Sequence, residues 1–215
     1  MTITNTYVRC EEEGEGRPDK RLPSYAYYEH TFSNKVLHFY LTGEIGYPEL
    51  YTDMVHRIKS ASPGDTIFLN LNTSGGNLVT GVQLINAIHS SPAKIVTVLE
   101  GECHSLGTLI FLCGDELVVN DNCIMMFHHL SGGFRGKGQE MVAQLDATVK
   151  WFISMCRTIY PPFLTTVEID NILLGQDLWL DSTQIRSRLD KMVNQDELEH
   201  KKPPIKRKSK KSKNE

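Results

Sequence analysis

The stretch DTIFLNLNTSGGNLVTGVQLINAIHSS, residues Asp65–Ser91, joins a strand pattern to a helical pattern through two adjacent glycines. Its first part, Asp65–Asn72, is a short apolar run bounded by polar residues, which predicts a buried β-strand. After the glycines, four apolar residues recur near helical spacing: Leu78, Val82, Ile85 and Ile88. A strand that leads directly into a helix is the unit from which α/β folds are built, so this stretch predicts that class.

The same alternation of strands and helices continues on both sides of this stretch. Further strands are predicted at Lys35–Ile45, Lys94–Cys103, and in the runs ELVVND and CIMMFHHL. Helices are predicted at Tyr47–Ala61, in the short buried run SLGTLIFLCG, and at Gly138–Tyr160, where two prolines end the helix. Because strands and helices alternate, we expect an α/β architecture with much parallel pairing.

Length and charge predict one domain with two polar ends. The chain has 215 residues, of which 40% are hydrophobic and 23% charged. We expect a flexible N-terminal segment at residues 1–23, a folded domain at residues 24–196 and a disordered basic tail at residues 197–215. Residues 201–215 carry eight Lys or Arg and one acidic residue, so the net charge of −3 leaves −3 − 7 = −10 on the first 200 residues. An acidic body argues against nucleic-acid binding by the fold, and only the tail is suited to contact nucleic acid or a partner.

The cysteines and the hydropathy pattern predict a cytoplasmic protein. Five cysteines without a CxxC pair favour reduced thiols: Cys10, Cys103, Cys113, Cys123 and Cys156. The N-terminus lacks the pattern of a secretory signal, and no apolar run reaches the length of a membrane span. We therefore expect no contact with a membrane.

Three loops at predicted strand ends carry small and polar residues. Asn72–Gly76 has adjacent glycines before a helix and suits an anion, Gly101–Gly107 contains Ser105, and Met125–Gly136 contains His128 and His129. Each has a structural alternative: a tight turn, a serine that caps a helix, or a packed histidine. Together they provide a nucleophile, a base and an oxyanion site, the parts of acyl-transfer chemistry.

Two histidines compete for the role of base. His104 is the neighbour of Ser105 at a helix start, where successive side chains diverge by about 100°. His128 comes from a separate strand and can point its ring at the hydroxyl, whereas His129 must face the opposite side of that strand. We therefore expect His128 to be the base, and His104 and His129 to lie at the surface or rim. Cys103, a rival nucleophile, is expected to be a small buried residue.

The blocks NTSGGNLVTG, GECHSLGTLIF and MMFHHLSGGFRG resemble the three signature blocks of the Clp protease proteolytic subunit, a serine peptidase. The resemblance covers most of residues 35–192. It implies that Ser105 is the nucleophile, that His128 is the base, and that the backbone N–H groups of Gly76 and Leu106 form the oxyanion hole. Counting on from His128 without a gap brings the aspartate of the family onto Asp177, in GQDLWLDSTQI.

The resemblance also implies a fold and an assembly. The family has a crotonase-like α/β fold of repeated β-β-α units with a protruding long helix, and its subunits form rings. We expect a homo-oligomer, a heptameric ring alone or two stacked, which receives unfolded polypeptides from an AAA+ unfoldase in trans. No cofactor and no metal are expected. Gln176 stands where the family usually has an arginine that couples stacked rings, so the ring count stays open.

Two other functions are compatible with this fold. The chain could be a non-catalytic or regulatory subunit of a mixed ring, although it keeps Ser, His and Asp in register. It could also be a crotonase-type enzyme that holds the oxyanion of a coenzyme A thioester. Crotonase-type enzymes do not need the three side chains together, which disfavours that alternative.

Overall fold

The computed structural model describes residues 34–200, with side chains described for residues 34–193. The predicted N-terminal segment, residues 1–23, lies outside the described residues, as does the predicted basic tail beyond residue 200. Both segments therefore stay predictions.

Strands and helices alternate through most of the described chain. The strands are β1 Val36–Ile45, β2 Thr66–Gly76, β3 Lys94–His104, β4 Glu116–Val119, β5 Ile124–Phe127 and β6 Leu178–Asp181. The helices are α1 Thr52–Lys59, α2 Leu78–Ser90, α3 Leu106–Phe111, α4 Gly138–Ile159, α5 Thr166–Leu173 and α6 Ser182–His200. A short 3₁₀ turn, Pro48–Tyr51, precedes α1.

The strands form one mixed sheet in the order β1-β2-β3-β5-β6, with β4 beside β5 along β3. All pairs are parallel except β5 and β6, which are antiparallel. Apolar side chains of the central strands, such as Leu71 and Leu99, are fully buried, and every residue of α3 is buried. The predicted α/β class with much parallel pairing is confirmed.

The structure changes several predicted boundaries. β2 extends through the glycine loop to Gly76, because Glu44 and Ile45 of β1 pair with Gly75 and Gly76. The segment Tyr47–Ala61 begins as a 3₁₀ turn at Pro48 and becomes α-helical only at Thr52. The sequence patterns did not predict β6, α5 or α6, and β6 has only four residues.

Helix α4 projects from the domain along much of its length. Its buried residues, Phe152 and Cys156, lie in its C-terminal half, whereas Val142 and Leu145 nearer the N-terminus are 64% and 50% exposed. This arrangement agrees with the predicted protruding helix. Among the described residues, no helix combines the length and apolar character needed to cross a membrane.

Candidate active site

Ser105 occupies the junction between β3 and α3 in a strained conformation. Its backbone has φ 54° and ψ −121°, a combination that non-glycine residues rarely adopt. Its N–H donates to the Met126 carbonyl at 2.8 Å, which ties the junction to β5. Its side chain makes no capping hydrogen bond to α3. The hydroxyl therefore does not serve as a helix cap, which was the structural alternative for this serine.

The two glycines at the end of β2 allow the chain to pass close to Ser105. Gly75 has φ 91°, and a Cβ atom at Gly75 would lie 2.9 Å from the Cβ atom of Ser105. A Cβ atom at Gly76 would collide with the backbone of Ile45 in β1. The Gly75 N–H donates to the Thr73 hydroxyl at 3.1 Å. Gly76 is therefore the better candidate of the two for donating to an external anion.

Leu106 offers a second backbone donor beside Ser105. It is the first residue of α3, and the N–H groups of a first helical turn have no acceptor within the helix. The Ser105 carbonyl, in the same peptide unit as this N–H, accepts from the Thr108 N–H at 3.0 Å and the Thr108 hydroxyl at 2.7 Å. Two hydrogen bonds from Thr108 to the Ser105 carbonyl therefore restrain the peptide unit that joins Ser105 to Leu106.

A cavity of about 580 Å³ brings four of the five predicted site residues together. Ser105, Leu106, Gly76 and His128 all line it. The remaining wall is mostly loop and apolar side chains: Glu44, Ile45, Gly46, Tyr47, Ser74, Gly75, Asn77, Leu78, Leu130, Ser131 and Phe152. The apolar part of this wall, including Phe152 of α4, was not predicted from the sequence.

His128 directly follows β5, and Asp177 directly precedes β6. The two strands are antiparallel, with Met126 paired to Trp179 and Phe127 to Leu178. Continued by one position, this register brings His128 opposite Asp177, although the strand pairing itself ends at Phe127 and Leu178. Asp177 is exposed and is not part of the cavity lining. Within the described residues, no hydrogen bond joins the side chains of Ser105, His128 and Asp177.

His104 differs from its predicted position. It is the last residue of β3 rather than part of a helix, and its side chain is only 13% exposed, so it is mostly buried. Its Nδ1 lies 3.7 Å from Glu102, and its ring packs edge-on against Trp179 with centroids 5.3 Å apart. His104 does not line the cavity. His129 also lies outside the lining, and its ring centroid is 5.7 Å from that of Phe152.

The thiol of Cys103, two residues before Ser105, does not compete as a nucleophile. Cys103 is fully buried, as expected, and burial raises the pKa of its thiol well above the ordinary value. The reactive thiolate is therefore suppressed at neutral pH. Among residues 34–193, no group of three or more His, Cys, Asp or Glu is arranged to hold a metal ion.

The sequence also matches a protein-family model. The model described as Clp protease matches residues 27–182, which is well over half of the chain. The matched range contains every strand of the sheet and all five predicted site residues.

Proposed function

The chain belongs to the Clp protease family, and from this membership we propose that it is a serine endopeptidase with Ser105 as its nucleophile. It cleaves unfolded polypeptides inside a ring chamber, as the proteolytic subunit of an ATP-dependent Clp-type protease of the cytoplasm. The observation that carries the proposal is the positive φ of Ser105 in a cavity that His128 also lines. Strained residues persist only where the surrounding fold holds them, and they concentrate at active sites.

In the proposed reaction, His128 accepts the hydroxyl proton while the Ser105 oxygen attacks the scissile carbonyl carbon. The carbonyl electron pair moves onto its oxygen, which accepts hydrogen bonds from the Gly76 and Leu106 N–H groups. His128 then protonates the departing amine, and the acyl group stays on Ser105. A water molecule, deprotonated by His128, releases the acid product. Asp177 orients the His128 ring and stabilises its protonated form.

The reaction requires Ser105 and His128 to approach each other. In the part of the chain that the structure describes, these two side chains are not hydrogen-bonded to each other. Catalytic hydrogen bonds are often long in unliganded enzymes and tighten when substrate binds. Binding of a peptide in the cavity, or of a neighbouring subunit against it, closes this contact in the proposed mechanism.

The proposed assembly is a heptameric ring, alone or as two stacked rings, that works with an AAA+ unfoldase supplied in trans. Helix α4 supports this proposal because its projecting part exposes the apolar side chains of Val142 and Leu145. Removing these side chains from water in a subunit contact would stabilise the assembly. In a stacked arrangement, α4 provides the contact between rings. No ATP site is proposed for this chain.

A second candidate function is a non-catalytic or regulatory subunit of a mixed ring. The observation that favours it is the missing hydrogen bond between Ser105 and His128, together with the exposure of Asp177. Co-purification with a second related chain, and no activity without that chain, would support this candidate. Activity of the chain alone would eliminate it.

Labelling with a fluorophosphonate probe tests the nucleophile, and turnover of a short fluorogenic peptide tests the activity. The wild type should react, and Ser105→Ala should abolish both signals while leaving the mass in solution unchanged. Ser131 lines the same cavity and provides a matched serine control. The Ser131→Ala protein should still be labelled by the probe, because Ser105 is intact. Labelling that persists in Ser105→Ala would refute the assignment.

A further inference from the structure

A buried chain of hydroxyl groups leads from helix α4 to the peptide unit behind Ser105. The Thr108 hydroxyl lies 3.0 Å from the Tyr160 hydroxyl and 2.7 Å from the Ser105 carbonyl oxygen. Thr108 is 0% exposed and Tyr160 is 1% exposed, so water does not compete for these hydrogen bonds. Tyr160 follows the last residue of α4, and its backbone N–H donates to the Cys156 carbonyl at 3.1 Å.

The donor at each step of this chain follows from elementary chemistry. A carbonyl oxygen can only accept, so the Thr108 hydroxyl proton is directed to Ser105. The Thr108 oxygen is then the acceptor for the Tyr160 hydroxyl. Burial raises the pKa of Tyr160, which keeps that group protonated and able to donate. The direction of the hydrogen bonds is therefore from Tyr160 to Thr108 to Ser105.

Holding the Ser105 carbonyl also orients the next N–H group. The peptide bond between Ser105 and Leu106 is planar, and in a trans peptide the C=O and N–H bonds point in opposite directions. A carbonyl fixed toward the protein interior by Thr108 thus turns the Leu106 N–H away from the interior. Leu106 and Ser105 both line the cavity on that side.

Tyr160 also contacts the strand that carries His128. Its ring packs edge-on against Phe127, with centroids 5.3 Å apart and planes at 78°. Phe127 is 0% exposed and directly precedes His128. The buried side chain of Tyr160 therefore contacts both Phe127, which precedes His128, and Thr108, whose hydroxyl donates to the Ser105 carbonyl.

We propose that Thr108 and Tyr160 are positioning residues that hold the Ser105–Leu106 peptide so that the Leu106 N–H points at the developing oxyanion. This inference rests on the proposed peptidase function. The support acts on the transition state rather than on substrate binding, because the oxyanion forms only during the reaction. Loss of the Thr108 hydroxyl should therefore lower kcat and leave KM nearly unchanged.

Thr108→Val removes the hydroxyl and keeps the shape of the side chain. We expect it to lower kcat for a short fluorogenic peptide, and the rate of fluorophosphonate labelling, by about three- to tenfold. Thr108→Ser keeps the hydroxyl and should restore most of the rate. Tyr160→Phe keeps the ring against Phe127 and should have a smaller effect, since Thr108 still donates to Ser105.

Thr97 provides a matched control at the other end of α3. It is also 0% exposed, and its hydroxyl donates to the Phe111 carbonyl at 2.8 Å. Thr97→Val should lower thermal stability about as much as Thr108→Val but leave kcat unchanged. Equal kcat values for Thr108→Val and Thr97→Val would overturn the inference, as would a loss in Thr108→Val that appears only in KM.

Hydrogen exchange separates this inference from the peptidase proposal. Amides in the fragment covering residues 101–108 should exchange faster in Thr108→Val and return to the wild-type rate in Thr108→Ser. Unchanged exchange in Thr108→Val would overturn the proposed support even in an active enzyme. If exchange is faster in Thr108→Val but the wild type is neither labelled nor active, only the peptidase proposal is refuted. The inference that Thr108 holds the Ser105–Leu106 peptide unit would then remain.

Discussion

Asp177 lies opposite His128 in the continued register of β5 and β6, one position beyond the paired residues Phe127 and Leu178. Directly opposed residues of an antiparallel pair have Cβ atoms about 5 Å apart, and this register is the observation that supports a contact between the carboxylate and the imidazole. The four residues of β6 thus define where the proposed carboxylate lies.

Asp177→Asn tests this relationship. The amide has the shape of the carboxylate but not its charge, so it cannot stabilise the protonated form of His128. We expect kcat for peptide hydrolysis to fall on the order of a hundredfold or more, with a folded protein of unchanged mass. Asp181→Asn, at the other end of β6, should keep the wild-type rate, because the Asp181 carboxylate accepts the Gln184 N–H at 2.8 Å instead. A wild-type rate in Asp177→Asn would remove Asp177 from the mechanism.

The absence of a side chain at Gly75 leaves room for Ser105 in its observed position. A methyl group at Gly75 would lie 2.8 Å from the His104 carbonyl oxygen and 2.9 Å from the Ser105 Cβ, and φ 91° is itself strained for alanine. Gly75→Ala should therefore displace the nucleophile and reduce fluorophosphonate labelling on the order of a hundredfold, since a shift of about 1 Å has that effect on a reacting group. Intact-mass measurement of the labelled protein follows the reaction.

The control for this change is Gly133→Ala, in the loop after His128. An added methyl group at Gly133 meets nothing within 4 Å, so labelling should proceed at the wild-type rate. Equal labelling rates for Gly75→Ala and wild type would mean that the backbone at Ser105 adjusts to the added methyl group. That result would contradict the proposal that the fold holds Ser105 rigidly in its strained conformation.

The sequence predicted the parts of the site that lie in short motifs at strand ends. Ser105, His128 and the glycine pair each belong to a stretch with its own local pattern, and the structure brings them into one cavity. The relation of Asp177 to His128 depends on β6, whose four residues are too few for a periodic pattern to be recognised. Thr108 and Tyr160 are 52 residues apart, and no local pattern links their hydroxyl groups. Contacts of this kind come from tertiary packing alone.

The ion pair between Glu168 and Arg188 predicts a stability that depends on pH. The guanidinium of Arg188, 2.6 Å from the carboxylate, holds the pKa of Glu168 at about 2, below its ordinary value of 4.5. A lowered carboxylate pKa means that its contribution is present above about pH 4.5 and is lost as the pH falls toward about 2. Glu168→Gln should lower the free energy of unfolding by about 1 to 3 kcal/mol at neutral pH.

Urea unfolding followed by circular dichroism, at several values between pH 7 and pH 2.5, measures this contribution. The gap between wild type and Glu168→Gln should narrow as the pH falls through that window. Asp53→Asn removes an exposed pair with Arg57 and should leave the stability nearly unchanged at any pH, because exposed ion pairs contribute little. A gap for Glu168→Gln that is constant with pH would show that the loss comes from packing and not from the ion pair.

Leu145→Asp tests whether the projecting part of α4 is an interface in the proposed assembly. Leu145 is 50% exposed in the isolated chain, so a charge there leaves the core of the domain untouched. Within a covered interface, the same charge loses its hydration and weakens association. We expect the mass measured by light scattering to fall to that of a smaller assembly, while circular dichroism stays that of wild type. Gln144→Glu adds a charge at the neighbouring exposed position, on a different face of the helix, and should keep the full mass. An unchanged mass for Leu145→Asp would place the subunit contacts elsewhere and remove α4 from the proposed ring interface.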